Sequence, residues 1–362
     1  MSSVWTNNLK ISIFGESHAE QIGAVIDNLP AGEYINLDEI KIQMRRRAPG
    51  NFDFVSQRLE RDEPKIISGF LNGRTTGAPL CAIIKNENYK SSDYKNNLDL
   101  IRPGHSDYSA DVRYKGYNDR NGGGHLSGRL TAPIVFCGAI CRQILKRKGI
   151  LIAAHVSSIG KINDENFPIK INGELINRLS STNGLSLINE SLKENFIDEI
   201  NYYKGQGDSI GGSVECAITG VEEGVGDPIF FGVENIISSL VFSIPGVKGI
   251  EFGSGFKGSF FSGSENNDEF FIEDGKIKTK TNNHGGILGG ITSGMPIVFK
   301  VAVKPTPSIK KEQNTVNIRS LKEEKISTLG RHDPCIVPRV VPCVEAIAAI
   351  SILDILLGAG KL

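Results

Sequence analysis

Six consecutive residues, GRHDPC at positions 330–335, carry a dense set of reactive groups, because a cation, an imidazole and a carboxylate follow one another directly. Charged groups are rarely buried unless they are paired or used in a site. Pro334 then interrupts the local structure, and an apolar helical pattern begins near Val341, so the turn would be held rigidly at the mouth of a buried helix. Two interpretations stay open: a site that holds acid–base groups, and a solvated turn with a helix cap.

The histidines differ in their surroundings. His18 and His105 lie in loops bounded by glycine and serine, whereas His155 lies on a strand-like run. Since imidazole titrates near neutral pH, the two loop histidines are candidates for acid–base catalysis. We expect His155 to be structural, and the role of His284, within NHGG, stays open.

A run of three glycines, 122–124, leads into a predicted helix N-terminus, with Ser127 as its cap and Arg129 one turn inside. Free N–H groups and the positive end of a helix dipole favour anions, and a guanidinium adds a bidentate hydrogen-bond donor. The pattern indicates a phosphate or carboxylate site, with a flexible capped loop as the alternative.

The segment KPTPS at 304–308 follows a predicted strand. Its two prolines restrict the backbone, so the lysine and the hydroxyl groups would be presented at fixed positions to a phosphate or to the carbonyl groups of a heterocycle. A rigid polar loop is the alternative. The run Arg45–Arg47 ends a predicted helix, and the run alone is typical of a solvated end that complements the helix dipole.

Composition limits the classes of function. Lys+Arg and Asp+Glu both number 41, so no net charge attracts nucleic acid or a membrane, and any polyanion site must be local. The six cysteines form no C-x-x-C pair, so we expect neither a metal site nor a disulfide framework. The first residues lack a signal-sequence pattern, and the apolar stretch 341–357 contains Glu345 and Asp354, so we expect a cytoplasmic protein.

The elements that must position these groups follow from periodicity. Strands are predicted over residues 10–14, 24–27, 65–70, 80–85, 150–160, 211–220 and 296–304. Helices are predicted over residues 36–47, 127–148, 190–203, 227–242 and 342–357, and a long polar loop over 87–125. The helices at 127–148 and 342–357 are apolar on nearly every face and should lie in a core. We predict an α+β fold that forms one domain over residues 1–362.

Several motifs lie in a fixed order over nearly the whole chain. They are FGESH (14–18), RRR (45–47), RPGHSDY (102–108), GGG (122–124), GDSIG (207–211), VKG (247–249), NHGGILGG (283–290), KPTPS (304–308) and GRHDPC (330–335) with Arg339. Together they resemble the chorismate synthase family.

The resemblance implies a lyase that converts 5-enolpyruvylshikimate 3-phosphate to chorismate and phosphate by 1,4-anti elimination, the last step of the shikimate pathway. There is no net redox change, yet reduced FMN is required as a transient electron donor. Such chemistry needs a desolvated pocket and cations on the leaving group. The resemblance also implies a β-α-β sandwich, with long buried helices between two antiparallel sheets, and a homotetramer.

The resemblance assigns roles to individual residues. His18 would protonate or stabilise the reduced flavin, His105 would protonate the leaving phosphate, and Asp333 would help to remove the C6 proton. The arginines that would hold the substrate are Arg46, Arg129 and Arg339, which revises the surface interpretation of Arg46. The positions that would contact FMN are Ser127, Gly289, Lys304, Pro305, Thr306, Pro307, Ser308 and Arg331.

Three departures from the family pattern bear on these roles. GHLSGRLT at 124–131 stands for GRSSARET, and Pro245–Gly246 stands for Asn-Ala, so side-chain contacts to FMN should differ there. Backbone groups and His125 would substitute at the first position. Ala48 is an insertion, and an arginine is missing near Asp53, so one edge of the substrate site should be rearranged.

Two other functions stay open. One is a flavin-independent phosphotransferase or phosphate lyase that uses the same anion sites. The other is an anion-binding or RNA-binding module, against which the zero net charge and the lack of an aromatic-basic face argue. The chain has no clear nicotinamide motif, so we expect FMN to be reduced externally rather than by this protein with NADPH.

Overall fold

The computed structural model describes residues 3–49, 61–86, 99–328 and 332–362. Its helices are α1 (Leu37–Arg47), α2 (Asp107–Arg113), α3 (Thr131–Arg147), α4 (Gly173–Ser181), α5 (Lys193–Gly205), α6 (Val233–Val241), α7 (Gly263–Asn266) and α8 (Val337–Gly358). Its strands are β1 (Val4–Thr6), β2 (Lys10–Gly15), β3 (Gln21–Asp27), β4 (Pro64–Ser68), β5 (Phe70–Leu71), β6 (Arg74–Thr75), β7 (Leu80–Lys85), β8 (Leu151–Ile159), β9 (Ile162–Asn163), β10 (Gly212–Thr219), β11 (Val247–Phe252), β12 (Phe270–Glu273), β13 (Lys276–Thr279), β14 (Ile287–Leu288), β15 (Ile291–Thr292), β16 (Ile297–Val303), β17 (Gln313–Asn317) and β18 (Lys322–Ile326).

Two five-stranded sheets form the frame of the fold. The strand order is β1-β2-β3-β7-β4 in the first sheet and β11-β16-β10-β8-β9 in the second. Neighbouring strands within both sheets are antiparallel. In β7, Leu80, Ala82 and Ile84 are buried and alternate with more exposed residues, which is the period of a strand with one covered face. The α+β prediction is confirmed.

Helices α3 and α8 pack together in the core. Helix α3 contacts β3 and β7 of the first sheet and β8 of the second, and α8 contacts β8, β10 and α6. Both helices are buried on nearly every face, as their all-apolar pattern predicts. They approach closely at Gly138, where an added Cβ would lie 2.8 Å from the carbonyl oxygen of Ala346.

Helix α8 begins at Val337, earlier than the predicted start near residue 342. Pro338 lies in its first turn, where the missing N–H needs no partner within the helix. By length and composition α8 could cross a membrane, but 94% of its most apolar window is buried inside the fold. Its Asp354 carboxylate accepts a hydrogen bond from the backbone N–H of Leu9 at 2.6 Å, so this buried charge is paired.

The local sequence explains α1, whose predicted bounds are confirmed. The side chain of Asn36 accepts a hydrogen bond from the backbone N–H of Asp38 at 2.8 Å and caps the helix. Acidic residues in the first turn and Arg45, Arg46 and Arg47 in the last turn complement the helix dipole.

Three other element predictions were wrong in part. Helix α2 lies within the predicted loop 87–125, and α4 lies in a stretch with no predicted helix. Helix α6 begins at Val233 rather than at Pro228. Its start is later because Ile229 has a φ of 67°, which a right-handed helix excludes, and Gly232 becomes the cap.

Candidate active site

A cavity of about 800 Å³ is walled by parts of the chain that are far apart in sequence. They include β1, β2 and the loop after it, the segment 102–106, the glycine run before α3, the end of α6 and the turn before α8. The predicted site residues that line the cavity are His18, His105, Ser127, Arg129, Lys304, Pro305, Thr306, Pro307, Ser308, Asp333 and Arg339. Folding therefore brings the acid–base candidates and most of the anion-binding candidates together.

The glycine run packs directly against both loop histidines. A Cβ added to Gly122 would lie 2.5 Å from Nδ1 of His18, and one added to Gly123 would lie 3.3 Å from Nε2 of His105. Gly122, Gly123 and Gly124 all have positive φ, a region that L side chains rarely adopt. Glycine is required here both by conformation and by the space that the imidazoles occupy.

The loop of His105 is organised by an ion pair. Asp107 lies 2.6 Å from Nδ1 of His105, and Arg102 donates to the same carboxylate from Nε at 2.8 Å and from Nη2 at 2.7 Å. Burial acts to raise the pKa of Asp107, but the hydrogen bonds with Arg102 and His105 outweigh it and hold this pKa well below its ordinary value. The ionised carboxylate thus fixes the imidazole, which leaves Nε2 as the nitrogen on the side of the glycine run.

His18 is oriented by its neighbour. Ser17 Oγ lies 3.0 Å from Nδ1 of His18 and donates its own proton to the carbonyl of Asn121 at 3.0 Å. Because this hydroxyl has one proton, it accepts from Nδ1–H, and Nε2 becomes the nitrogen that can take up a proton. The same loop is held by a backbone hydrogen bond from Ser17 N to Gly124 O at 3.1 Å.

Two arginines of the cavity wall share one buried carboxylate. Asp62 Oδ2 lies 2.8 Å from Nη1 of Arg47, and Asp62 Oδ1 binds Nη1 of Arg129. The side chain of Asp62 has no exposed surface, and both arginines line the cavity. Burial lowers the pKa of Arg47 even though Asp62 acts to raise it.

A second ion pair lies at the start of α8. Arg339 Nη1 binds Asp333 Oδ2, and its Nε donates to the backbone carbonyl of Arg47 at 3.0 Å. Burial acts to lower the pKa of Arg339, but Asp333 outweighs it and raises this pKa. The three arginines bring three positive charges against the two negative charges of Asp62 and Asp333, so the ion-paired groups keep one positive charge for an anion.

The segment 304–308 is fixed to its neighbours from both sides. Lys304 Nζ donates to the backbone carbonyl of Gly104, beside His105, and burial lowers the pKa of Lys304. Ser209 donates to the carbonyl of Thr306 at 2.7 Å, and Arg102 donates to Ser308 Oγ at 3.3 Å. The Lys304 ammonium, the Thr306 backbone and the Ser308 hydroxyl are therefore held in place.

Apolar side chains complete the wall, and sequence reasoning did not select them. They are Trp5, Ile11, Ile13, Leu130, Ile134, Leu240, Ile244, Ile336, Ile347 and Ile350. A mixed wall of apolar and cationic groups suits a ligand with a flat ring and several negative charges. Within the described ranges, no group of three or more His, Cys, Asp or Glu side chains could hold a metal ion.

Comparison with known proteins decides the family. The model of the family described as chorismate synthase matches residues 9–357. Chorismate synthase of Pyrococcus abyssi is 44% identical over 351 residues, which cover 96% of each chain. That of Korarchaeum cryptofilum is 43% identical over 351 residues, 97% of this chain and 96% of the relative. The chain belongs to the chorismate synthase family.

A solved structure supports the same assignment. The crystal structure of a chorismate synthase superposes with a TM-score of 0.77 at 28% identity and covers 97% of this chain and 92% of that one. The family consists of enzymes, so the cavity is a candidate active site of the chorismate synthase family.

The expected position of Arg46 at the substrate site needs a correction. Among the described residues, Arg46 is not part of the cavity wall: it is buried behind it, and Nη2 lies 3.1 Å from Glu345 Oε1. The neighbouring Arg47 reaches the cavity instead. Successive residues of a helix point about 100° apart, so Arg46 and Arg47 meet different surroundings.

Two predicted FMN positions are not among the residues of the cavity wall, one because of where it lies and one because it is not described. Gly289 is in the tight turn between β14 and β15, with φ of 63°, and within the described part of this chain it does not line the cavity. Arg331 lies outside the described residues, but its neighbour His332 lines the cavity.

The chain-specific His125 also lines the cavity, but its ring is bound to the protein. Its Nδ1 lies 2.7 Å from the carbonyl of Gly15, and its Nε2 lies 2.5 Å from Ser3 Oγ. His125 therefore joins the glycine run to β2 and to the first residues of the chain. The other departure, Pro245–Gly246, contributes backbone, since Lys304 N donates to Gly246 O at 2.9 Å.

Proposed function

We propose that this protein eliminates phosphate from 5-enolpyruvylshikimate 3-phosphate to give chorismate, with reduced FMN as cofactor. The observation that carries the proposal is the convergence of two histidines, two carboxylates and three arginines on one cavity or directly behind its wall. A substrate with three anionic groups, one phosphate and two carboxylates, matches a wall whose charge is locally positive in a protein of zero net charge.

The residues present fit FMN. The apolar wall suits the face of a flavin ring, and the fixed groups of Ser127, Lys304, Thr306 and Ser308 suit a phosphate and carbonyl oxygens. Reduced FMN would supply transient electron density to the departing phosphate. The protein's part is to exclude water, to neutralise the phosphate and to move protons.

We assign the proton transfers as follows. His105, held at Nδ1 by Asp107, donates to the leaving phosphate from Nε2, and Arg47, Arg129 and Arg339 neutralise the charge that develops on that phosphate. Asp333 assists removal of the proton from C6, and the pairing with Arg339 keeps its carboxylate in place. His18 would protonate or stabilise the reduced flavin through Nε2.

The proposal also includes the arrangement of layers, the single domain, the assembly and the location of the protein. Helix α3 contacts both sheets, which supports a β-α-β sandwich, and one large apolar core that draws residues from Leu9 to Leu356 supports a single domain. Phe230, Phe231, Phe256 and Phe260 are all more than half exposed, which supports burial in a homotetramer. A cytoplasmic location fits the six free cysteines, because a reducing compartment keeps thiols from forming disulfides.

An anaerobic assay tests the reaction. Purified protein is mixed with 5-enolpyruvylshikimate 3-phosphate and chemically reduced FMN, and chorismate and phosphate are measured. Equimolar amounts of both products are expected, and none with oxidised FMN. A folded sample that makes neither product would refute the reaction, and turnover without any flavin would instead support a flavin-independent phosphate lyase. A parallel sample with FMN and NADPH measures whether this chain reduces its own flavin.

A further inference from the structure

Asp62 lies behind the cavity wall rather than in it. Its two carboxylate oxygens bind different partners: Oδ2 takes Arg47 Nη1 at 2.8 Å, and Oδ1 takes Arg129 Nη1. One fully buried carboxylate thus joins a guanidinium from the end of α1 to one from the turn just before α3. Without it, two like charges would face each other in a poorly solvated place.

The backbone of Asp62 is held in an unusual conformation. Its φ is 49°, in the left-handed region that residues other than glycine rarely adopt. Such a conformation persists only where the surroundings enforce it, and it is concentrated at functional sites. The ion pairs with the two arginines hold the side chain that this backbone presents.

The same network reaches the loop of His18. Arg129 Nε donates to Asn86 Oδ1 at 2.8 Å, and Asn86 Nδ2 donates to the carbonyls of Ala19 at 2.6 Å and Glu16 at 3.2 Å. The orientation of the Arg129 guanidinium is therefore set by Asp62, by Asn86 and by the backbone carbonyl of Lys85, which accepts from Nη2 at 3.4 Å, and Arg129 lines the cavity.

A second carboxylate in the chain has the same arrangement away from the cavity. Glu345 binds Arg46 Nη2 at 3.1 Å and Arg142 Nη1 at 3.0 Å, with its side chain 2% exposed. Among the described residues, neither Glu345 nor its two arginines belong to the cavity wall. The structure thus provides a matched pair of buried carboxylates, one whose two arginines line the cavity and one whose two arginines do not.

We propose that Asp62 is a positioning residue, which holds the guanidinium groups of Arg47 and Arg129 at a fixed separation so that both bind the same anionic group. The role of Asp62 in catalysis rests on the proposed function, since the anion would be part of the substrate. The affinity for the anion is measured without turnover.

The test compares Asp62→Asn, which removes the charge and keeps the size, with Asp62→Glu, which keeps the charge and displaces it. The dissociation constant of inorganic phosphate is measured by calorimetry on the full chain, and Tm is measured in parallel. Positioning predicts that both variants bind phosphate at least about tenfold more weakly, the scale of a charged hydrogen bond. The control Glu345→Gln should lower Tm and leave the phosphate affinity unchanged.

Other results would overturn the proposal. Unchanged phosphate affinity with a lowered Tm would make Asp62 merely structural, and tighter binding by Asp62→Asn would mean that its charge restrains the anion site. If neither variant folds, arginine side-chain NMR of the native protein decides: hindered rotation of both guanidiniums before phosphate is added is expected, and free rotation would refute it.

Kinetics separate this inference from the proposed function. In the elimination assay Asp62→Glu should raise KM for the substrate by more than it lowers kcat, which loss of folded protein would not do. Suppose that the wild-type protein binds phosphate, that both variants bind it more weakly, and that the wild-type protein makes no chorismate. This result would refute the proposed reaction and leave the role of Asp62 intact.

Discussion

A Cβ on Gly122 would lie 2.5 Å from Nδ1 of His18, so the loop can pass this imidazole only because residue 122 has no side chain. Gly122→Ala should therefore displace His18 and reduce turnover by about 10²-fold or more, the scale of a lost acid–base group. Gly149→Ala is the matched control, because Gly149 also has a positive φ (78°) but an added Cβ meets nothing within 4 Å. Equal losses of activity in both variants would show that backbone strain, and not His18, is responsible.

The proposed acid–base residues make a direct prediction. Replacing His18, His105 or Asp333 with alanine should lower kcat by about 10²–10⁴-fold, the usual contribution of such groups. Circular dichroism and Tm check that each variant is folded. Near-wild-type rates in all three variants would mean that the roles are assigned to the wrong residues.

Asp107 should make stability depend on acid pH. Burial acts to raise its pKa, but hydrogen bonds with Arg102 and His105 hold it below the ordinary value. Because the folded-state pKa is the lower one, the carboxylate stabilises the fold above about pH 4 and loses this contribution as the pH falls towards the folded-state pKa. Asp107→Asn should lower Tm at neutral pH and flatten the fall of Tm below about pH 4. Parallel Tm curves of variant and wild type would contradict this.

Adjacent arginines on α1 should have different roles. Arg46→Ala leaves Glu345 with Arg142 as its remaining arginine partner and should reduce the free energy of unfolding by about 3 kcal/mol. It should leave the phosphate affinity unchanged. Arg47→Ala should weaken phosphate binding at least about tenfold, because it removes a guanidinium from the cavity wall. Weaker phosphate binding by Arg46→Ala and unchanged binding by Arg47→Ala would instead support Arg46 as the substrate-binding residue.

The contact between α3 and α8 predicts an effect on stability alone. A Cβ on Gly138 would lie 2.8 Å from Ala346 O, so Gly138→Ala should force the helices apart and cost about 1–3 kcal/mol in urea unfolding. Gly205→Ala, at the end of α5, meets nothing within 4 Å and should be neutral or slightly stabilising. Equal effects would contradict close packing at Gly138.

Local patterns predicted most regular elements. The bounds of α1 follow from its cap and from the proline after it, and β7 follows from a short run of apolar residues after the turn at 73–77. The start of α6 was missed because the φ of Ile229 depends on the contacts of the turn and not on its composition. Helix α8 begins earlier than predicted because Pro338 lies in its first turn, where a proline is compatible with a helix.

The sequence by itself determined the residue types of the site: loop histidines, glycine runs, a rigid lysine–proline segment and several arginines, in an order that identified the family. Only the tertiary structure decided which of them meet. In the structure Arg47 rather than Arg46 lies at the cavity wall, and Asp62 lies behind that wall. Both ring nitrogens of His125 are hydrogen-bonded within the protein. The reason is physical, since the direction of a side chain on a helix and the partner of a buried charge depend on contacts between segments distant in sequence, which no local pattern encodes.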